Sequence, residues 1–258
     1  TAPAAPVGNN ACESTAANRE VAEMSETTGA LTIDYLGHCA FRFTTPAGQR
    51  ILVNPHRNWP DGRQWFKREC ANVEADVLLV SHPHADHDRV SSALGRPKLL
   101  EGEGELAGLD FVVHGLTGRH SARFGRDIDY FNTIFVLESA GLRVCLMGDN
   151  EANLSESLRN EIGPLDALVV PVEDAGLILS AAEAERLANR LQPRVVIPTH
   201  YFIEGLTEPS SGFEGIDEWR ALQTTIRDLP GATLELRPEG LPENREGWVF
   251  GDCLVPQD

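Results

Sequence analysis

The segment S-H-P-H-A-D-H-D (81–88) places three histidines and two aspartates within eight positions. Imidazole and carboxylate are good ligands for Zn²⁺, Mn²⁺ and Fe²⁺. His82 and His84 are two residues apart, so in an extended segment they project to the same side and can bind one ion. Asp86 and His87 follow the bend and would point towards a second ion. The segment therefore predicts a metal site.

Each ion needs further ligands, and three residues at or just past the ends of strand-like runs could supply them: His120, Asp149 in G-D-N and His200 in P-T-H-Y. His114 is the rival of His120, which we favour for its spacing and the small polar residues after it. We interpret His38 as a hydrogen-bonding residue beneath the site rather than a ligand. His56 is interpreted as a solvated loop residue, with a substrate contact as the alternative.

Several strands would position these residues. L-T-I-D-Y-L, C-A-F-R-F-T and Q-R-I-L-V-N are strand-like runs, and the turn T-P-A-G separates the last two, which predicts a meander. The apolar run D-V-L-L-V (76–80) predicts a buried strand directly before the histidine cluster. N-T-I-F-V-L and L-R-V-C-L-M predict a hairpin that leads into Gly148-Asp149-Asn150.

Later strands alternate with helices. We predict one helix over Leu154–Ile162, stopped by Gly163, and a second that begins with a Ser180/Glu183 capping box and runs to about Leu191. Helical spacing also relates Ile216, Trp219, Leu222, Ile226 and Leu229, and A-T-L-E-L-R predicts a last strand. The pattern indicates two packed β-sheets with helices outside in one α/β domain over residues 31–258. Residues 1–30 are interpreted as an extension with a short helix near Ser14–Met24.

The composition limits the partners. The 258 residues carry 22 Lys+Arg and 39 Asp+Glu, a net charge of −17. So acidic a chain argues against nucleic acid and anionic membranes and leaves a small-molecule substrate as the expected partner. No apolar run approaches the roughly 20 residues that span a bilayer. The oligomeric state is not defined by the sequence.

The cysteines and the first residues bear on location. None of the five cysteines forms a C-x-x-C pair. We expect Cys39 and Cys145 to be buried apolar residues, and one disulfide among Cys12, Cys70 and Cys253 is possible if the protein is exported. The start T-A-P-A-A-P-V-G-N-N is similar to the stretch after a signal-peptide cleavage site. We therefore expect a periplasmic or secreted protein, with a cytoplasmic location as the alternative.

Taken together, the motifs resemble the metallo-β-lactamase superfamily. Its signature H-x-H-x-D-H corresponds to His82, His84, Asp86 and His87, and the downstream His, strand–G-D and strand–P-x-H elements match in order from about Leu31 to the C-terminus. Gly37-His38-Cys39 makes the chain most similar to the branch of ascorbate-6-phosphate lactonase-like hydrolases. The resemblance implies a four-layer αββα sandwich.

The resemblance also implies the ligand sets. One ion would be bound by His82, His84 and His120, and the other by Asp86, His87 and His200, with Asp149 bridging. The cofactors would be two divalent ions, most simply zinc, with manganese or iron as alternatives. They would share a water molecule whose pKa is lowered to about 7, so that it is available as hydroxide at neutral pH. Asp86 or Asp149 could pass a proton to the leaving group.

One departure from the family concerns the end of the third strand. This chain has Asn54-Pro55 where the family usually has Asp-Pro, with the Asp orienting a ligand histidine. Asn54 can accept a hydrogen bond from an imidazole but carries no charge, so metal binding is expected to be weaker.

Residues around these ligands could contact a substrate. Arg119, Ser121 and Arg123 flank His120 and could bind an anionic group, although the arginines could equally pair with Asp127 and Asp129. Tyr201 could donate to an oxyanion or simply pack. In the 54–75 loop, Trp59, Trp65 and Phe66 could form an apolar lip over the site or anchor the loop.

The leading hypothesis is a dinuclear metal-dependent hydrolase of a small ester, lactone or phosphoester. A β-lactamase-type amide hydrolase is the alternative, disfavoured because Asp149 stands where many zinc β-lactamases lack a bridging Asp and use Cys. The charge argues against a nuclease, and His84 against a diiron oxidoreductase, which would normally have Glu there. A non-catalytic metal- or ligand-binding member of the fold stays open.

Overall fold

The computed structural model describes residues 29–121, 131–173 and 175–254. Its strands, in chain order, are β1 (Leu31–Gly37), β2 (Ala40–Thr44), β3 (Arg50–Val53), β4 (Val73–Glu74), β5 (Val77–Val80), β6 (Ala93–Leu94), β7 (Lys98–Glu101), β8 (Gly104–Ala107), β9 (Phe111–Arg119), β10 (Phe131–Ser139), β11 (Leu142–Leu146), β12 (Ala167–Pro171), β13 (Val195–Thr199), β14 (Ile226–Leu229), β15 (Thr233–Leu236) and β16 (Glu246–Phe250). The α-helices are α1 (Glu156–Ile162), α2 (Ala181–Leu191) and α3 (Asp217–Leu222).

The first sheet has the strand order β15-β1-β2-β3-β5-β7. Strands β1, β2 and β3 form the predicted antiparallel meander, and β3, β5 and β7 run parallel. Every residue of β5 is buried, as the apolar run D-V-L-L-V predicts. Because β1, β3 and β5 share one direction, their carboxyl ends lie at one edge of the sheet.

The second sheet has the order β14-β16-β13-β12-β11-β10-β9-β8. The predicted hairpin of β10 and β11 is present, and the parallel strands β11, β12 and β13 are connected through α1 and α2. Helix α1 begins where Ser155 Oγ accepts the Leu158 N–H at 3.1 Å and ends at Gly163, whose φ is 69°. At the start of α2 the Ser180 N–H donates to Glu183 Oε2 at 3.0 Å, as the capping box requires.

The main core lies between the two sheets, with Ile33, Phe41 and Phe135 among its fully buried side chains. A second apolar cluster joins the outer face of the second sheet to the helices through residues such as Leu187 and Trp219. On the outer face of the first sheet, the described part of the chain supplies loop residues and short strands instead. The result is the expected α/β sandwich with its two sheets face to face.

The C-terminal part departs from the prediction. Helix α3 ends at Leu222, and Ile226 and Leu229 lie on β14, which pairs with β16. Their i, i+3 spacing suits a helix, but on β14 the two side chains point to opposite faces of the sheet, where Leu229 joins the main core and Ile226 the cluster under the helices. Strand β15 is also not the last strand, because β16 follows it. The short strands β4, β6, β7 and β8 were not predicted, since they are largely exposed and carry no clear apolar alternation.

Some predictions concern residues outside the described ranges, including the helix near Ser14–Met24 and most of the 1–30 extension. Cys39 and Cys145 are buried as expected, and Cys70 and Cys253 are buried free thiols, so they do not form the suggested bridge with each other. Cys12 lies outside the described residues. Within the described residues, the helices are too short and too polar to cross a membrane.

Candidate metal centre

The seven predicted ligands meet at the edge where the strands of both sheets end. The loop after β5 carries His82, His84, Asp86 and His87, while His120, Asp149 and His200 follow β9, β11 and β13. Their donor atoms fall into adjacent groups in which all candidate ligand atoms lie within 4.8 Å of one another. The convergence that the sequence predicts is therefore present.

The first group contains His82, His84, His120 and Asp149. Its three imidazoles are nearly perpendicular to one another, with ring centroids 4.6 Å apart for His82–His84, 4.7 Å for His82–His120 and 4.9 Å for His84–His120. Rings arranged edge to face in this way can direct one nitrogen each at a common point. This is the arrangement that a three-histidine metal site needs.

The second group contains His38, Asp86, His87 and His200. Asp86 Oδ2 lies 3.4 Å from His87 Nε2 and 3.5 Å from His200 Nε2. His38 Nε2 forms a 3.2 Å hydrogen-bonding contact with the same oxygen. The interpretation of His38 as a hydrogen-bonding residue rather than a ligand stays a prediction, and the donors predicted for an ion are those of Asp86, His87 and His200.

Asp149 connects the two groups. Its Oδ2 lies 3.6 Å from both His82 Nε2 and His120 Nε2 and 3.5 Å from His200 Nε2. Its Oδ1 lies 3.2 Å from His87 Nε2. One carboxylate thus faces histidines of both groups.

The donor set fits divalent cations. Asp86 and Asp149 are 2% and 1% exposed, and buried carboxylates require paired charge. His82 Nε2 and Asp86 Oδ1 are buried and have no hydrogen-bond partner within the described ranges. Imidazole nitrogens and carboxylate oxygens left without partners in one pocket are what zinc, manganese or iron would satisfy.

Burial and the short distances between these side chains shift the pKa values of several of them. Burial and the neighbouring His87 lower the pKa of His82 well below its usual value. Burial is the largest single effect and would lower the pKa of His87 and His200, but the combined interactions with Asp149, Asp86 and other neighbours outweigh it and raise both pKa values well above the usual range. Burial would raise the pKa of Asp149, yet His87 and His200 hold it well below its usual range.

Ser81 organises the histidines, a role that the sequence analysis did not assign. Its Oγ lies 3.0 Å from His82 Nδ1 and 3.5 Å from His87 Nδ1. Its backbone N–H donates to Asn54 Oδ1 at 2.9 Å. Asn54 therefore reaches the histidines through Ser81 rather than by the expected direct hydrogen bond to an imidazole.

Asp149 is positioned by the turn Gly148-Asp149-Asn150. The Asp149 N–H donates to Asn132 Oδ1 at 3.1 Å. Gly148 has a φ of 53°, and a Cβ there would lie 2.5 Å from Asn132 Oδ1 and 2.8 Å from Ser81 Oγ. Only glycine combines this backbone conformation with this close approach, so the loops after β5 and β11 pack directly against each other.

Three non-glycine residues of the centre have left-handed backbone: His38, Asn54 and His200, with φ of 55°, 46° and 63°. Such conformations are uncommon, although His and Asn adopt them more readily than most residues. They persist where the surroundings fix the backbone and are frequent at functional sites.

The other histidines take different positions. His114 lies on β9, half-buried, with Nδ1 3.4 Å from Glu105 Oε2 and Nε2 3.6 Å from Glu138 Oε1, away from the two donor groups. His56 is 0% exposed, so its interpretation as a solvated residue is wrong. Its ring packs against Phe66 at 4.4 Å, and burial lowers its pKa well below the usual value.

The predicted substrate residues are less well supported by the geometry. Ser121 Oγ donates to the Ile178 carbonyl at 2.9 Å, which fixes the loop before α2. Arg119 is exposed at the end of β9, and Arg123 lies outside the described residues. Tyr201 is buried and interacts with the Tyr35 hydroxyl, and burial raises its pKa to about 12. These contacts favour the packing interpretation of Tyr201.

The aromatic residues of the 54–75 loop do lie beside the centre. The Trp59 ring is 5.9 Å from that of His84, the most exposed of the seven ligands, and Trp65 packs edge-on against Trp59 at 5.5 Å. Phe66 is buried behind them against His38. Bidentate contacts of 2.7 and 2.9 Å between Arg57 and Asp88 attach this loop to the ligand loop.

Cys39, which was predicted to be a buried apolar residue, is buried but lies next to His87 and Asp149 of the metal centre. Burial alone would raise the pKa of its thiol, but His38 and His87 outweigh it and lower the pKa to about 6. Its position directly after His38 was the sequence feature that could have indicated its place beside the metal centre.

Comparisons with known proteins identify the family of this chain. A family model described as "Beta-lactamase superfamily domain" matches residues 32–200, and the chain belongs to this family. A UPF0173 metal-dependent hydrolase of Carboxydothermus hydrogenoformans is 27% identical over 232 residues, covering 80% of this chain and 100% of that protein. Another, from Thermococcus onnurineus, is 26% identical over 195 residues, covering 66% and 84%.

A solved structure shows the same similarity. This Thermotoga maritima protein is described as a candidate Zn-dependent hydrolase of the metallo-beta-lactamase superfamily. It is 26% identical and superposes with a TM-score of 0.67, covering 87% of this chain and 100% of its own.

Proposed function

We propose that this protein is a dinuclear metal-dependent hydrolase that cleaves a small ester, lactone or phosphoester. The broader class, a metal-dependent hydrolase of the beta-lactamase superfamily, follows from the family match and from the relatives. The observation that carries the finer proposal is the pair of adjacent donor groups joined by Asp149.

Two bound divalent ions would supply an activated water molecule at neutral pH and would polarise the oxygen of the scissile group. The chain's own residues prepare the pocket for this. His87 and the other neighbouring histidines hold the pKa of Asp86 well below its usual range against the effect of burial, so Asp86 and Asp149 are both ionised at neutral pH. Ser81 and His38 fix the orientation of His82 and Asp86.

The substrate would approach on the side of His84 and Trp59. His84 is the partly exposed member of the ligand set, and the Trp59 indole lies beside it. An apolar part of the substrate would pack on the accessible part of this ring. These features favour a small ester or lactone.

The test combines metal analysis with a panel of generic lactone, ester, phosphoester and β-lactam substrates. His120→Ala and His114→Ala form a matched pair, because His114 lies on β9, His120 directly follows it, and only His120 joins a donor group. We expect two ions per chain and loss of kcat/KM in His120→Ala beyond the roughly 100-fold that outer contacts of a metal control. His114→Ala should retain activity.

Other outcomes would favour a different function. One ion per chain at saturation would contradict the dinuclear proposal. A fully loaded protein that turns over none of the substrates would favour the non-catalytic binding interpretation. Preferential turnover of β-lactams would favour the amide hydrolase.

A further inference from the structure

A thiol lies beside the second donor group. Cys39 Sγ falls within 4.8 Å of ligand atoms of both His87 and Asp149, and these three residues form a donor group of their own. Two donors that share an ion at about 2.0–2.3 Å each lie roughly 3–4.5 Å apart. Separations of at most 4.8 Å are compatible with one shared ion after small adjustments of the side chains.

The backbone fixes this position of Cys39. His38 and Cys39 alone connect β1 to β2, where Gly37 pairs with Ala40. Gly37 and His38 have φ of 96° and 55°, which makes the reversal sharp. Consecutive side chains of the turn thus both face the second donor group, with His38 at Asp86 and Cys39 beside His87.

We propose that Cys39 Sγ is a ligand of the second ion, so that this ion is bound by sulfur together with Asp86, His87, His200 and the bridging Asp149. The proposal rests on the metal centre proposed above. It is supported by His87 Nε2 and Asp149 Oδ1, two buried atoms of the residues grouped with Cys39 that have no hydrogen-bond partner in the described part of the chain. Among the described cysteines, Cys39 alone belongs to a donor group.

A sulfur ligand would change which ions the second position selects. Thiolate is a soft donor that favours Zn²⁺, Cd²⁺ and Co²⁺ over Mn²⁺ and Mg²⁺, which prefer carboxylate and water. The first position, with three imidazoles, lacks this preference. The two positions would therefore differ in metal selectivity.

The test replaces the native ions with Co²⁺ in the full-length protein and records the near-ultraviolet spectrum, where a thiolate–cobalt bond gives a charge-transfer band. We expect the band in the wild type and in Cys145→Ala, because Cys145 is buried in the apolar cluster under the helices. We expect it to be lost in Cys39→Ser and Cys39→Ala. The preference for Cd²⁺ over Mn²⁺ should fall by ~10-fold or more in both Cys39 variants, within the range of metal-site changes.

Each other outcome counts against the proposal. A wild type that binds two Co²⁺ ions without the band, or a band that persists in a folded Cys39→Ser protein, would overturn the thiolate ligand and leave the metal centre intact. A wild type that binds no Co²⁺, Zn²⁺ or Mn²⁺ would overturn the metal centre itself. Circular dichroism of both variants establishes that they are folded.

Discussion

His38 Nε2 lies 3.2 Å from Asp86 Oδ2, and this contact ties the turn between β1 and β2 to the ligand loop 48 residues further along the chain. Both side chains are almost completely buried. The other oxygen of Asp86 has no hydrogen-bond partner within the described residues. His38 thus helps to fix the carboxylate oxygen that also faces His87 and His200.

The first prediction tests this contact with His38→Gly. Glycine tolerates the φ of 55°, so the substitution removes the imidazole without adding backbone strain. We expect the affinity for the more weakly bound ion to fall by roughly 10–100-fold, as for other residues that orient metal ligands. Chelator competition measures the affinity. Gln192→Gly, at a φ of 51° on the end of α2, is the control for the glycine itself. Equal affinities in the two variants would refute the role of His38.

A second prediction concerns the close packing of Gly148. Gly148→Ala should lower both the free energy of unfolding and the metal affinity, because its Cβ would overlap Asn132 and Ser81. Gly48→Ala is the matched control, since Gly48 has a φ of 81° and open space around it. The control should cost only the left-handed penalty of about 1–2 kcal/mol.

Denaturant unfolding with and without Zn²⁺ separates the two effects. The excess loss in Gly148→Ala over Gly48→Ala should be about 1–3 kcal/mol, the usual cost of overpacking. If both variants lose the same free energy and bind metal equally well, the packing of the two loops does not position Asp149.

A third prediction addresses Trp59. The Trp59 ring is held by Trp65 and by Arg63, whose guanidinium carbon lies 4.3 Å from it. Trp59→Ala should raise KM by roughly 5–30-fold with little change in kcat, because a lost aromatic contact of about 1–2 kcal/mol weakens substrate binding. Trp59→Phe should recover most of the packing and therefore most of the KM. A lower melting temperature with an unchanged KM would favour the alternative that Trp59 only anchors its loop.

A fourth prediction concerns the pH dependence of stability in the metal-free protein. The pKa of His87 and His200 is raised in the folded state, so their stabilisation is complete below the unfolded value of about 6.5 and is lost as pH rises through the folded pKa. Burial lowers the pKa of His82 and His84, so unfolding takes up protons below about pH 6.5 and stability falls there.

The melting temperature of the metal-free protein should therefore be highest near pH ~6.5 and fall on both sides. With saturating Zn²⁺ the decline above this pH should disappear, because metal binding displaces the protons of the ligands. A melting temperature that rises steadily with pH in the metal-free protein would contradict the raised pKa values.

Much of this architecture could be predicted from the sequence. Period-two and continuous apolar runs predicted the meander, the buried strand β5 and the hairpin of β10 and β11. Gly163 marked the end of α1 and the Ser180/Glu183 capping box the start of α2, whereas the predicted start of α1 at Leu154 lies two residues before the observed one. The segment 81–88 stood out by composition, and the positions of His120, Asp149 and His200 at strand ends made their convergence predictable.

What the sequence did not reveal depends on contacts between distant residues. The burial of His56 arises from Phe66 and from the folded 54–75 loop, whose path is not encoded in any periodicity. The role of Ser81 depends on its contacts with Asn54, His82 and His87, and the contact with Asn54 joins segments that are distant in the sequence. Ile226 and Leu229 had a spacing that suits a helix, and only the neighbouring β16 made them a strand.

The centre draws its ligands from both sheets: the loop after β5 belongs to the first, and His120, Asp149 and His200 follow strands of the second. Ions bound there would fasten the two halves of the sandwich together across one edge. Opening of the sandwich would then have to await ion release, so the lifetime of the chain against proteases would depend on the free zinc concentration around it.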